Sequence, residues 1–184
     1  MQTPAAKPSL RLILAAAAVL VLTGCTAGSL GLTTTVLLPV AGGTVPFSYG
    51  SHGPILEEKD GVRMEGAGLE ANPEKKQVGY YFKFAVKPGA VPLRVTIVDI
   101  TEDPVQIVCE DRAPRLVNGE WTAPAVSLDA KDPSLGWLFN VEESLRAYRI
   151  TIPMSDGRTV VLTQVQAYAD VIKAALRKAL GLES

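Results

Sequence analysis

Histidine is almost missing from this chain: His52 is the one copy in 184 residues, and only two cysteines, Cys25 and Cys109, accompany it. A zinc site takes three or four His, Cys or carboxylate ligands at workable spacing. His52, alone in "YGSHGP", has no second imidazole to work with, and no metal or cofactor is expected. Ser51 beside it makes no catalytic pair, because adjacent residues of an extended chain point to opposite sides. Gly50-Ser51-His52-Gly53 is also one residue short of the nucleophile-elbow pattern. We read His52 as a loop residue between glycines. Charge of one sign is missing too. The chain carries 18 basic and 19 acidic residues with no Lys/Arg block, which excludes nucleic acid as the expected partner and argues against recruitment to anionic lipid by charge alone. Nor does any apolar run reach across a bilayer. The longest, Leu12–Leu22, has eleven residues, about 16 Å of helix against a hydrocarbon core of about 30 Å.

That short run has a context. Lys7 and Arg11 precede it with no acid among them, and small residues and a cysteine follow. A basic start, a short apolar core and a small-residue end are the parts of an export signal. Leu22-Thr23-Gly24-Cys25 then reads Leu, small, Gly, Cys, and here the chain resembles the bacterial lipoproteins. Their chemistry needs these residue types: a thiol is nucleophilic enough to take a diacylglyceryl group as a thioether, and small neighbours admit the peptidase. The resemblance implies cleavage between Gly24 and Cys25, acyl chains such as palmitate on Cys25, and the lipid bilayer as a partner through those chains. Each buried methylene contributes about 0.8 kcal/mol, so two or three chains make release into water negligible. In Gram-negative lipoproteins Asp after the cysteine favours inner-membrane retention. Thr26 stands there in this sequence, so the resemblance implies the outer membrane, facing the periplasm.

Removing residues 1–24 leaves 160 of the 184 residues, enough for one domain with its own core. Lys7 and Arg11 go with the signal, so sixteen basic residues face nineteen acids, a net charge of −3. Residues 25–54 are uncharged apart from His52 and rich in Gly, Thr and Pro, and read as the lipidated terminus and a tether. Within it Thr33–Val40 has the β-branched content of an edge strand, or alternatively of a second membrane or partner contact.

Residues 55–163 read as β. Asp60-Gly61, Asn118-Gly119 and Asp156-Gly157 each sit between strand-like stretches and mark hairpins. "GYYFKFAVK" alternates Tyr80, Phe82, Phe84 and Val86 against Tyr81, Lys83, Ala85 and Lys87; "AYRITIP" places Tyr148, Ile150 and Ile152 inward. Leu93, Val95 and Ile97 share one face by the same parity, and Val105, Ile107 and Cys109 another, which makes Cys109 a buried, inert thiol. Trp121 and Trp137 are assigned to the core.

Residues 164–184 read as a C-terminal amphipathic helix and tail. Val165, Tyr168, Ala169, Ile172, Ala175, Leu176 and Leu180 line one face, Thr163 and Gln166 have capping-box spacing, and Gly181 is the stop.

The fold class expected is mainly β, an antiparallel sandwich with a C-terminal α-helix. The Tyr-x-Ile-x-Ile strand and its Ser-Asp-Gly hairpin make residues 79–163 resemble an immunoglobulin-like or fibronectin-type module. The alternative is α+β, a single antiparallel sheet with the helix on one face.

Other motifs dissolve on inspection. Gly66–Ala71 fits the spacing of the dinucleotide fingerprint, but Asn72-Pro73 denies it the helix that must follow. Glu57-Glu58, Glu102-Asp103, Glu110-Asp111 and Glu142-Glu143 are sequence neighbours that diverge on strands, and Asp129 and Asp132 lack a calcium loop's ligand spacing. The expectation is a non-catalytic accessory or interaction module of the cell envelope with an envelope protein as partner. The alternatives are a small apolar-ligand carrier and, behind it, a hydrolase.

Overall fold

The computed structural model describes residues 34–50, 53–54, 56–72, 74–125, 127–129, 132–139, 145–168 and 170–182. Cys25, His52 and Glu142-Glu143 lie outside the described residues, as does the export signal. In chain order come β1 (Thr34–Val40), β2 (Gly43–Gly50), β3 (Gly53–Pro54), β4 (Glu58–Lys59), β5 (Val62–Asn72), β6 (Gln77–Val86), β7 (Val95–Asp99), β8 (Gln106–Asp111), β9 (Glu120–Thr122) and β10 (Ser127–Asp129). A 3-10 segment (Pro133–Phe139), β11 (Leu145–Pro153), β12 (Thr159–Ala167) and a single helix, α1 (Asp170–Ala179), complete the described residues.

The protein is mainly β, with two antiparallel sheets packed face to face and a C-terminal helix. One sheet runs β10-β6-β5-β4, with β9 also on β6; the other runs β12-β11-β7-β8. Period-two alternation supplies each with an apolar face. Met64, Phe82 and Phe84 from the first sheet meet Ile97, Tyr148, Ile150 and Leu162 from the second in one buried core. Phe82 and Tyr148 meet edge to face at 5.1 Å, and Phe84 stacks on Trp121 at 4.7 Å. Trp121 also donates Nε1 to Asp111 Oδ2 at 2.9 Å, which satisfies its one polar atom.

The hairpin residues act as their chemistry requires. Asp60 and Gly61 sit at φ 51° and 80°, Asn118 and Gly119 at 54° and 81°, the left-handed pairs of tight turns. After the second turn β9 pairs with β6, matching Trp121 to Phe84, rather than with the "PRLV" stretch before it. The Asp156-Gly157 turn differs: Gly157 alone is left-handed, and the Met154 N–H donates to the Arg158 carbonyl at 2.8 Å around a three-residue loop.

Four sequence expectations change. Strand structure extends well into residues 25–54, where β1 and β2 form a hairpin paired from Thr34↔Tyr49 to Val40↔Gly43. Leu38, Val40, Val45 and Phe47 cover Ile100, Ala147 and Val165 on the outer face of the second sheet. Leu93 is not inward with Val95 and Ile97; it precedes β7 and is exposed. Ile107 does not share the face of Cys109. Ile97 pairs with Cys109 but Val98 pairs with Ile107, so Val108 is the extra residue of a bulge that reverses parity. Finally, Thr163–Ala167 is strand. Pairing with β11 continues to Leu145↔Ala167, and this ladder overrides the helical spacing, so Thr163 and Gln166 form no capping box.

α1 starts at Asp170 and ends as expected. Gly181 at φ 71° lets its N–H reach the Lys178 carbonyl and the Leu182 N–H reach Arg177, each at 3.0 Å, a Schellman closure.

Candidate functional site

Polar groups converge at the end of the sandwich nearest α1. Arg146 is the second residue of β11 and shares the parity of Tyr148 and Ile150, so alternation drives its long side chain inward. There its Nε donates to Asp99 Oδ2 at 3.0 Å and its Nη1 to Glu102 Oε1 at 2.7 Å. The guanidinium carbon lies 5.1 Å from the Trp137 ring centre, over its face. Burial works against the Arg146 charge, but the Asp99 and Glu102 carboxylates outweigh it and hold the group above its ordinary range.

Asp99 is shared. Its Oδ1 accepts the Thr101 N–H at 2.9 Å, and Thr101 Oγ1 in turn accepts the Ala147 N–H at 2.8 Å. The cluster thus ties the chain after β7 onto β11. Its charges face one another rather than a ligand, so its chemistry is that of a pin.

Beside it, the Tyr148 and Tyr168 hydroxyls are buried without a hydrogen-bond partner. Burial pushes both well above the ordinary phenol range, so both stay protonated. Val78, Leu135, Trp137, Leu138, Leu176 and Leu180 pack around Tyr168 and fill the space between the first sheet and α1.

The sequence-predicted residues do not converge with this cluster. Glu57 is drawn to β12, where its carboxylate accepts the Thr163 N–H and its own N–H donates to Gln164 Oε1 at 3.3 Å. Glu58 pairs with Lys87 at 2.8 Å. Glu110 accepts from Arg94 and Arg112, while Asp111 faces inward to Trp121. Gly66–Ala71 lies within β5. Cys109 is buried, and burial, aided by Asp111, pushes its thiol up to about 11. Among the described residues no three His, Cys, Asp or Glu side chains are grouped to hold a metal ion.

Two adjoining surface depressions of about 260 and 350 Å3 flank Lys87 near the Asp60-Gly61 turn. Their charges are engaged in pairs, Lys87 with Glu58 and Arg158 with Asp156.

Sequence reasoning missed Arg146, Asp99 and Glu102, which lie 44–47 residues apart along the chain. The available signal was parity: in "LRAYRITIP" Arg146 falls in step with Tyr148 and Ile150.

What remains open to a partner is surface. In the second sheet β8 is the outer strand, and among the described residues nothing pairs with its far edge. The bulge at Val108 turns Ile107 outward to 69% exposure, with Val105 before it at 48%. α1 offers a second apolar surface, treated below. The chain matches no protein-family model, no curated protein and no solved structure, so its own geometry carries the functional reading.

Proposed function

We propose that this chain is a lipoprotein of the bacterial envelope, cleaved between Gly24 and Cys25 and held by acyl chains on Cys25 in the outer membrane, facing the periplasm. Its sandwich is a non-catalytic accessory or interaction module whose partner is another envelope protein. Leu22-Thr23-Gly24-Cys25 supports the anchor.

The observation that carries the interaction is the open edge of β8. An unpaired edge strand offers a row of backbone donors and acceptors to an incoming strand. Its second half is guarded by the bulge and by Glu110 with Arg94 and Arg112. Its first half instead presents Val105 and Ile107, a bare apolar approach to that row. A likeness of residues 79–163 to immunoglobulin-like modules belongs to the same proposal.

Crosslinking the native lipoprotein in intact cells, followed by mass spectrometry, tests it. One dominant protein partner is expected, lost in both Cys25→Ala and Ile107→Lys. The absence of any reproducible partner overturns the reading, as does a partner that Ile107→Lys leaves untouched.

A further inference from the structure

α1 turns an apolar side to the outside. Val171 is 75% exposed and Ile172 45%; Ala175 is exposed one turn on, and Leu182 follows just past the Gly181 stop. The side against the domain holds Leu176 and Leu180 together with Lys173, which is buried and lies 3.3 Å from Asp170. A helix with only its own sheet to satisfy would bury its most apolar stripe. This one leaves Ile172 and Ala175 available for contact elsewhere.

We propose that α1 lies flat on the bilayer that carries the lipid anchor, with Val171, Ile172 and Leu182 at the boundary between headgroups and acyl chains. The inference rests on the anchor reading of Cys25 for its proximity argument. Nine peptide steps separate Cys25 from Thr34, a reach of at most about 30 Å even when fully extended. An acylated chain so short keeps the sandwich beside the membrane, where a contact too weak to recruit a free protein is populated.

The helix has the form for that position. No helix among the described residues is long and apolar enough to cross a bilayer, and the ten residues of α1 span about 15 Å, suited to lying in the interface. Its charge fits as well. Exposed Lys178 lies one turn from Ala175, and the Lys76 side chain runs along Gly181 beside Leu182. Both ammonium groups border the apolar side, where lipid phosphates would meet them. The net negative charge of the mature chain is no obstacle, because the anchor recruits and the apolar residues make the contact. α1 follows β12, whereas β8 is the opposite edge of the same sheet, so the membrane contact leaves the proposed protein edge free.

The test reconstitutes the native lipoprotein into vesicles of phosphatidylethanolamine and phosphatidylglycerol. An environment-sensitive fluorophore is placed through Ile172→Cys or, as control, Gln106→Cys at the β8 edge; Cys109 is buried and stays unlabelled. The mass of the N-terminal peptide from the same sample reports acylation of Cys25 separately. Brominated acyl chains are expected to quench the label at position 172 at least about twofold more than the label at 106. Equal quenching at both positions overturns the inference, whatever the state of Cys25. Strong quenching at 172 with Cys25 unacylated keeps α1 on the membrane and removes the anchor reading instead. Shielding of position 172 that needs no lipid and grows with protein concentration assigns the face to a second copy, and overturns the proposal too.

Discussion

Arg146 and Asp99 face each other at 3.0 Å inside the sandwich, each side chain less than a tenth exposed, on adjacent strands that place Asp99 opposite Tyr148. Their pairing fixes how the core ends. Beyond it the two sheets no longer fill each other's faces, and Trp137 and Tyr168 close the gap.

Arg146→Leu should therefore be severe. It leaves the Asp99 carboxylate buried beside an aliphatic chain and removes the contact with Trp137, a loss of about 3–5 kcal/mol. Adding Asp99→Leu should recover much of it, because two apolar residues leave no buried charge behind. Urea denaturation of the two variants checks this; equal stability of single and double variants would show that the pair is not desolvated.

The left-handed turns make a smaller prediction. A Cβ at Gly61 would meet Lys87 Cβ at 3.5 Å, an ordinary contact, so space is not the constraint there. The cost of Gly61→Ala comes from φ +80° alone, about 1 kcal/mol. Thermal unfolding measures it, and an unchanged midpoint would refute the turn geometry.

Much of this fold was legible because alternation is a local signal. Tyr80 to Val86 and Tyr148 to Ile152 alternate without interruption, and both strands bury the faces their parity assigned. The turn dipeptides were equally local. Legibility failed where a non-local pairing decided. The bulge opposite Ile97 and Val98 reversed Ile107, and the β11 ladder claimed Thr163–Ala167 from a helical pattern. The Arg146 cluster failed for the same reason, since three separated segments meet only after the sheet has formed. The lipoprotein motif needs no fold at all, which is why the sequence speaks most clearly about a segment outside the described residues.

Cys109 supplies a pH prediction. Its thiol is raised from about 9 to about 11 by burial, with the Asp111 charge adding to it. A group whose folded pKa lies above its unfolded value contributes stability that is intact below the unfolded pKa and lost as pH rises to the folded one. The loss should run from pH 9 to 11 and reach up to about 2 kcal/mol. Cys109→Ala should be less stable at neutral pH but flatter across that window. At pH 8 the wild-type thiol should react with a disulfide reagent only as fast as the protein opens. Rapid labelling of the folded chain would place the sulfur at the surface.

The orientation of α1 can be tested without any membrane. Helical spacing alone assigns Ile172 and Ala175 to the buried side, whereas the structure buries Lys173 and Leu176 and leaves Ile172 45% exposed. The two arrangements demand opposite stability changes from the same substitutions. With the helix placed as described, Ile172→Ser removes little packing and should shift stability by no more than about 0.5 kcal/mol. Leu176→Ala opens a hole against Trp137, Leu138 and Tyr168 and should cost about 2–5 kcal/mol. Lys173→Met keeps the aliphatic stem packed while removing a charge from the interior, so it should be neutral or stabilising. A helix turned the other way would make Ile172→Ser the costly change and Lys173→Met an inert surface one. Chemical denaturation of the three variants separates these outcomes.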